Sequence, residues 1–162
     1  MPIAVGDKLP EANFIELGAE GPAPVPASRL TKGRKIALFA VPGAFTPTCH
    51  NTHVPSFVAA AKALSDKGVD EIVCVSVNDP FVMKAWGEAT GATKAGIRML
   101  ADPESAFTKA IGLDFSAPPA GLLARSQRYS MLVEDGVVKV LNVESAPGEA
   151  VCSLGEALVE QI

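Results

Sequence analysis

The chain has 162 residues, 48% of them hydrophobic and 20% charged, with a net charge of −4. That length buries roughly two-thirds of the unfolded surface without a disulfide or metal staple, so the composition predicts one globular domain over residues 1–162 rather than a disordered chain. Lys and Arg are scattered, which argues against nucleic acid as a partner, and the longest apolar stretch, Ile36 to Phe45, is interrupted by Pro42 and Gly43 and is too short to cross a bilayer.

In chain order, the opening Met1-Pro2-Ile3-Ala4-Val5-Gly6-Asp7 has no charged n-region, apolar h-region or Arg/Ser-rich transit character, so the chain reads as cytosolic unless a presequence was removed. Residues 18–27 carry three prolines and two glycines and read as a surface loop. Lys35 to Val41 reads as a buried strand. Thr46 is then a candidate N-cap and Pro47 a favoured first helical residue, followed by an apolar face of Val54, Phe57, Val58, Ala61 and Leu64. Pro55 is expected to kink this helix and Gly68 to end it. A second strand spans Glu71–Val77, and Asp79-Pro80 opens a helix carrying Phe81, Val82, Ala85 and Trp86. Gly96 to Leu100 is a short strand, and Asp102-Pro103-Glu104 is expected to open a third helix by the same cap-then-proline device. Arg128–Val133 and Val137–Val143 flank Asp135-Gly136, a type I′ hairpin signal, and Ser153-Leu-Gly-Glu156 reads as a capping box for the last helix. Alternation of strand and helix closed by a hairpin predicts a thioredoxin-like α/β sandwich: a mixed central sheet with helices on both faces. A flavodoxin-like domain is the alternative, but it does not end in a hairpin.

The chemistry concentrates at Cys49. With Thr46 as cap, the thiol sits in the first helical turn at the carboxyl end of a strand, where unpaired N–H groups and the helix dipole favour the thiolate. The Thr46 hydroxyl is able to bridge that sulfur and a bound oxygen. The ordinary alternative is a buried thiol that fills space. The three cysteines, Cys49, Cys74 and Cys152, lie far apart and include no C-x-x-C, which argues against a disulfide scaffold.

Pro42-x-x-x-Thr46-x-x-Cys49 resembles the signature of the peroxiredoxins, thiol peroxidases of thioredoxin fold. Ser76-Val-Asn-Asp79, Leu100-Ala-Asp-Pro103, Arg128-Tyr-Ser and Asp135–Asn142 extend the resemblance across nearly the whole chain, towards the type II, atypical two-cysteine branch. The resemblance implies that Cys49 attacks peroxide and becomes a sulfenic acid, that Thr46 hydrogen-bonds the peroxide, that Pro42 shields the pocket and that Arg128 supplies a cation at the sulfur. Arg125 competes for the last role. It further implies Cys152 as the resolving cysteine, with Cys74 as the alternative that plant-type members suggest. The reductant is expected to be thioredoxin or glutaredoxin/glutathione, the protein a homodimer, and no cofactor or metal is implied. Phe45, Phe81 and Ala117–Leu123 are candidates for an apolar rim at that interface or for ordinary packing. The first turn, Thr46 to His50, is expected to unwind so that Cys152 reaches Cys49.

Rival readings are a one-cysteine peroxidase met by an external thiol, a non-catalytic thioredoxin-like binding or chaperone module, a metal held by Cys49 and His53 at i, i+4, and a Cys–His hydrolase. For the hydrolase, His53 on the same helix is poorly placed to take the thiol proton. His50 and His53 otherwise read as solvent-facing.

Overall fold

Seven strands form the central sheet of the computed structural model, which describes residues 2–162. The strands are β1 (Asn13–Gly18), β2 (Gly21–Pro26), β3 (Lys35–Val41), β4 (Glu71–Ser76), β5 (Ile97–Ala101), β8 (Tyr129–Glu134) and β9 (Val137–Val143), in the order β2-β1-β5-β4-β3-β8-β9. β3 pairs parallel with β4, and β4 with β5; every other neighbour is antiparallel. A separate hairpin joins β6 (Asp114–Ala117) to β7 (Leu122–Ser126).

The mixed sandwich follows from β3, which is apolar on both faces. Ala37, Phe39 and Val41 pack into a core beneath α2 (Val54–Asp66), α3 (Pro80–Thr90) and α5 (Gly155–Gln161). Ile36, Leu38 and Ala40 pack into the opposite core with Leu30 of α1 (Ala27–Thr31) and Phe107 of α4 (Ala106–Ala110). A strand covered on both sides has no polar alternation, which is why it reads as a continuous apolar run. Asp135 and Gly136 both have positive φ, as the predicted hairpin turn requires. Gly68, at φ 90°, follows the end of α2.

Five local expectations are corrected. The proline-rich stretch after Gly18 is not a loop; most of it is β2, at the sheet edge. Pro22, Pro24 and Pro26 alternate, so all three missing N–H groups fall on the same, outer side of an edge strand that needs no further partner. The kink at Pro55 takes the form of a π-helical turn, Cys49–His53, in which the Val54 N–H reaches the Cys49 carbonyl. The wider turn lets a residue without an N–H enter the helix without the clash expected of an α-helical one. In α3 the buried face is Pro80, Met83, Trp86 and Gly87, while Phe81 is exposed; Asp79 caps as expected, accepting from Val82 N at 2.8 Å. Asp102 does not start a helix at Pro103. Its carboxylate reaches forward to the N–H groups of Phe107 and Thr108 and the Thr108 hydroxyl, so α4 begins at Ala106. Ser153 forms no capping box, because its hydroxyl and N–H are both given to Glu144.

Candidate active site

The parallel strand β3 ends at Val41 and the chain turns through buried Pro42 and Gly43 before entering the helix at Pro47. Phe45 takes a left-handed conformation, φ 65°, to make that turn. A non-glycine residue held there carries backbone strain, tolerated where surrounding contacts over-determine it. Thr46 is the residue before the helix, and its carbonyl accepts from His50 N at 2.9 Å. Cys49 thus falls in the first turn, as the sequence predicts, and its side chain is fully buried.

Two groups converge on the Cys49 sulfur: Thr46 Oγ1 at 2.8 Å and Arg128 Nη2 at 3.1 Å. Thr46 Oγ1 is also 2.7 Å from the Gly43 carbonyl. A hydroxyl has one proton, so the two contacts imply a rotor. Against a thiol it gives the proton to Gly43 and accepts from sulfur; against a thiolate it turns the proton to sulfur. Pro42 is buried on the rim, and its carbonyl accepts from Arg125 Nη1 at 3.1 Å. A Cβ at Gly43 would lie 2.7 Å from that same nitrogen, so the Arg125 guanidinium tip occupies the space a side chain there would need. Of the two arginines in competition, Arg128 therefore meets the sulfur and Arg125 meets the Pro42 loop.

Arg128 is 2% exposed, not a solvated arginine. Its Nε and Nη2 donate to the Pro147 carbonyl at 3.3 and 3.0 Å, and Nη1 donates to His53 Nδ1 at 3.0 Å. His53 is completely buried rather than solvent-facing. Its Nε2 lies 2.9 Å from the Ser153 carbonyl, which only accepts, so the proton sits on Nε2 and Nδ1 is free to accept from Arg128. Burial first, and then the Arg128 charge, lowers the imidazole pKa to about 3, which keeps it neutral. Both ring nitrogens are thereby engaged, so His53 is neither a base for Cys49 nor a free metal ligand. Among the described residues no group of three or more His, Cys, Asp or Glu is placed to hold a metal ion. His50 is half-buried, and its Nδ1 accepts from Trp86 Nε1 at 3.0 Å.

Cys74 is buried mid-strand between Phe39 and Met99, on the same core face as Cys49, and burial pushes its thiol pKa well up. Cys152 is exposed, on the segment between β9 and α5, with its sulfur 3.6 Å from the Val143 carbonyl. That segment is tied to the site at several points. Besides the Pro147 and Ser153 carbonyls, its Gly148 carbonyl accepts from Thr48 Oγ1 at 3.2 Å. Glu144 and Ser153 form its buried base. Sequence reasoning missed His53 and Glu144 as parts of this arrangement. The i, i+4 spacing of Cys49 and His53 was the one available signal for the first; nothing in the sequence marks the second.

A buried sulfur facing one hydroxyl and one guanidinium has donors placed where charge spreading from sulfur onto the oxygen of a small electrophile would be stabilised. Known proteins agree. The chain matches the Redoxin family over residues 4–158. It is 45% identical over 159 residues to peroxiredoxin-2B of Arabidopsis thaliana, covering 97% of each chain. It is 50% identical over 160 residues to the chloroplastic peroxiredoxin-2E-2 of Oryza sativa subsp. japonica, covering 96% of this chain and 71% of that protein. The solved structure of reduced Prx3 from Vibrio vulnificus in complex with H2O2 is 49% identical, with a TM-score of 0.92 over 98% of both chains. Fold, site geometry and relatives converge: this chain belongs to the peroxiredoxins, thiol-dependent peroxidases of the redoxin family.

Proposed function

We propose that the chain works as one peroxiredoxin domain of the type II, two-cysteine branch, with Cys49 as the nucleophile, Thr46 and Arg128 as the groups that bind and polarise peroxide, and Cys152 as the resolving thiol. The observation that carries the first part is the placement of the Cys49 sulfur between Thr46 Oγ1 and Arg128 Nη2. The thiolate attacks one peroxide oxygen. A sulfur–oxygen bond forms, the oxygen–oxygen bond breaks, and hydroxide or alkoxide leaves, taking a proton to become water or alcohol. Cys49 is left as the sulfenic acid. Arg128 acts on the oxygens where charge develops, and Thr46 turns its proton towards sulfur or oxygen as the step requires.

Cys152 then attacks the sulfenic sulfur, forming the disulfide and releasing water, and an external dithiol such as thioredoxin, or glutaredoxin with glutathione, restores both thiols. Exposure of Cys152 and the attachment of its segment to Arg128 and His53 support this assignment over Cys74, which lies in the sheet interior. A disulfide needs Cα atoms about 4.4–6.8 Å apart, so the first helical turn must open. The π-turn supports that motion, because its wider hydrogen bonding is less regular than that of an α-helix. Phe45, Phe81 and Leu123 are each more than half exposed, and such exposed apolar side chains support a homodimer.

The test is a pair of variants. Cys152→Ser is expected to reduce one equivalent of peroxide, stall with a dithiol reductant and over-oxidise at Cys49. Cys74→Ser is expected to turn over like the parent. Mass spectrometry of the peroxide-treated protein should find Cys49 joined to Cys152. The reverse pattern moves the resolving role to Cys74, and indifference to both substitutions makes this a one-cysteine enzyme.

A further inference from the structure

The segment after β9 carries Cys152, yet it starts from a buried carboxylate. Glu144 is 7% exposed, at the point where the segment leaves the sheet. A single oxygen, Oε2, accepts from Val151 N at 2.8 Å, from Ser153 N at 2.7 Å and from Ser153 Oγ at 2.6 Å. These donors stand immediately before and after Cys152. The Glu144 N–H is itself fixed to the Arg128 carbonyl at 2.9 Å. The carboxylate therefore closes residues 144–153 into a loop whose neck is held by charged hydrogen bonds, while Pro147 and Ser153 on that loop receive Arg128 and His53.

We propose that Glu144 is a positioning residue that latches the Cys152 segment against the site while peroxide reacts, and that breaking this latch is part of the resolving step. The inference rests on Cys152 as the resolving cysteine. The latch accounts for two otherwise unrelated facts. Arg128 needs a fixed Pro147 carbonyl to hold its guanidinium against the sulfur, and Glu144 fixes the segment that presents it. Cys152 must not compete for peroxide, and partial burial together with the adjacent Glu144 charge raises its thiol pKa while the segment is closed. When Val151 and Ser153 leave Glu144, Cys152 is released from both effects together. Its sulfur then displaces the oxygen of the Cys49 sulfenic acid; the new bond is sulfur to sulfur, and the oxygen leaves as water with the thiol proton.

Two kinetic phases separate the roles. Trp86, the sole tryptophan, donates to His50 one residue from Cys49 and reports both phases by fluorescence. The first phase depends on peroxide concentration and the second does not. Removing the charged hydrogen bonds in Glu144→Ala should accelerate the second phase by roughly ten- to a hundredfold while leaving the first unchanged or slower. Glu144→Gln keeps an acceptor without the charge and should fall between; it also serves if the alanine variant does not fold. A general loss of packing slows or abolishes both phases and does not speed one. The disulfide is mapped in the same samples. A Cys49–Cys152 bond with an unchanged or slower second phase in both variants overturns the latch and leaves the resolving assignment standing. A Cys49–Cys74 bond removes that assignment, and the latch with it.

Discussion

His53 offers a direct way to test the buried side of the site. In the folded chain it is neutral, wedged between the Arg128 guanidinium and the Ser153 carbonyl, with a pKa of about 3. In the unfolded chain an ordinary histidine titrates near ~6.5. Between those values the unfolded state binds one more proton than the folded state, so stability rises with pH across this window and is lost on acidification. Integrating from about pH 6.5 to about pH 4 gives about 3 kcal/mol lost through this one group. The substitution His53→Gln removes the titration while keeping a donor for Ser153 and an acceptor for Arg128. Urea unfolding of the reduced proteins at several pH values measures both. Other groups titrate in both proteins and cancel in the difference. The parent is expected to lose about 3 kcal/mol more than the glutamine variant over that range. Parallel curves, within roughly 0.5 kcal/mol, would refute the neutral buried imidazole and with it the assigned proton position.

Arg128→Ala should slow the stopped-flow peroxide step by roughly ten- to a hundredfold, the value of one charged hydrogen bond in the transition state, and a rate within about twofold of the parent moves the role away from this residue. The same change leaves the Pro147 carbonyl and His53 Nδ1 without their donor, so it should also lower the melting temperature, which an exposed arginine would not do. Gly155→Ala should destabilise by roughly 1–3 kcal/mol, because a Cβ there would lie 2.5 Å from the Ser56 carbonyl oxygen where α5 packs on α2; a denaturant midpoint equal to the parent's would show that the contact relaxes freely.

Local signals in this chain were legible wherever one short stretch carried both cause and consequence. The apolar runs of β3 and β4, the Asp79-Pro80 helix start and the Asp135-Gly136 turn each depend on neighbouring residues alone, and each forms where the sequence indicates. The helix start at Pro47 and the first-turn Cys49 belong with them, since both are set by spacing, although the Thr46 hydroxyl caps no backbone N–H and turns to Gly43 and the Cys49 sulfur instead. Other features needed the assembled fold. The prolines of β2 are compatible with a strand only because that strand lies at the sheet edge, and edge position is a property of the strand order. Ser153 was written like a cap, but a carboxylate nine residues upstream, at the other end of the same connecting segment, took both of its donors. Arg128 and His53 are separated by 75 residues and meet only because β8 pairs beside β3, at the strand end from which the Cys49 helix departs. Sequence alone marked Cys49 as the candidate nucleophile, because the place of a thiol in the first helical turn is set by spacing along the chain. Tertiary structure decided what surrounds that atom, because burial of a charge and a neutral imidazole depends on which distant segments close over them.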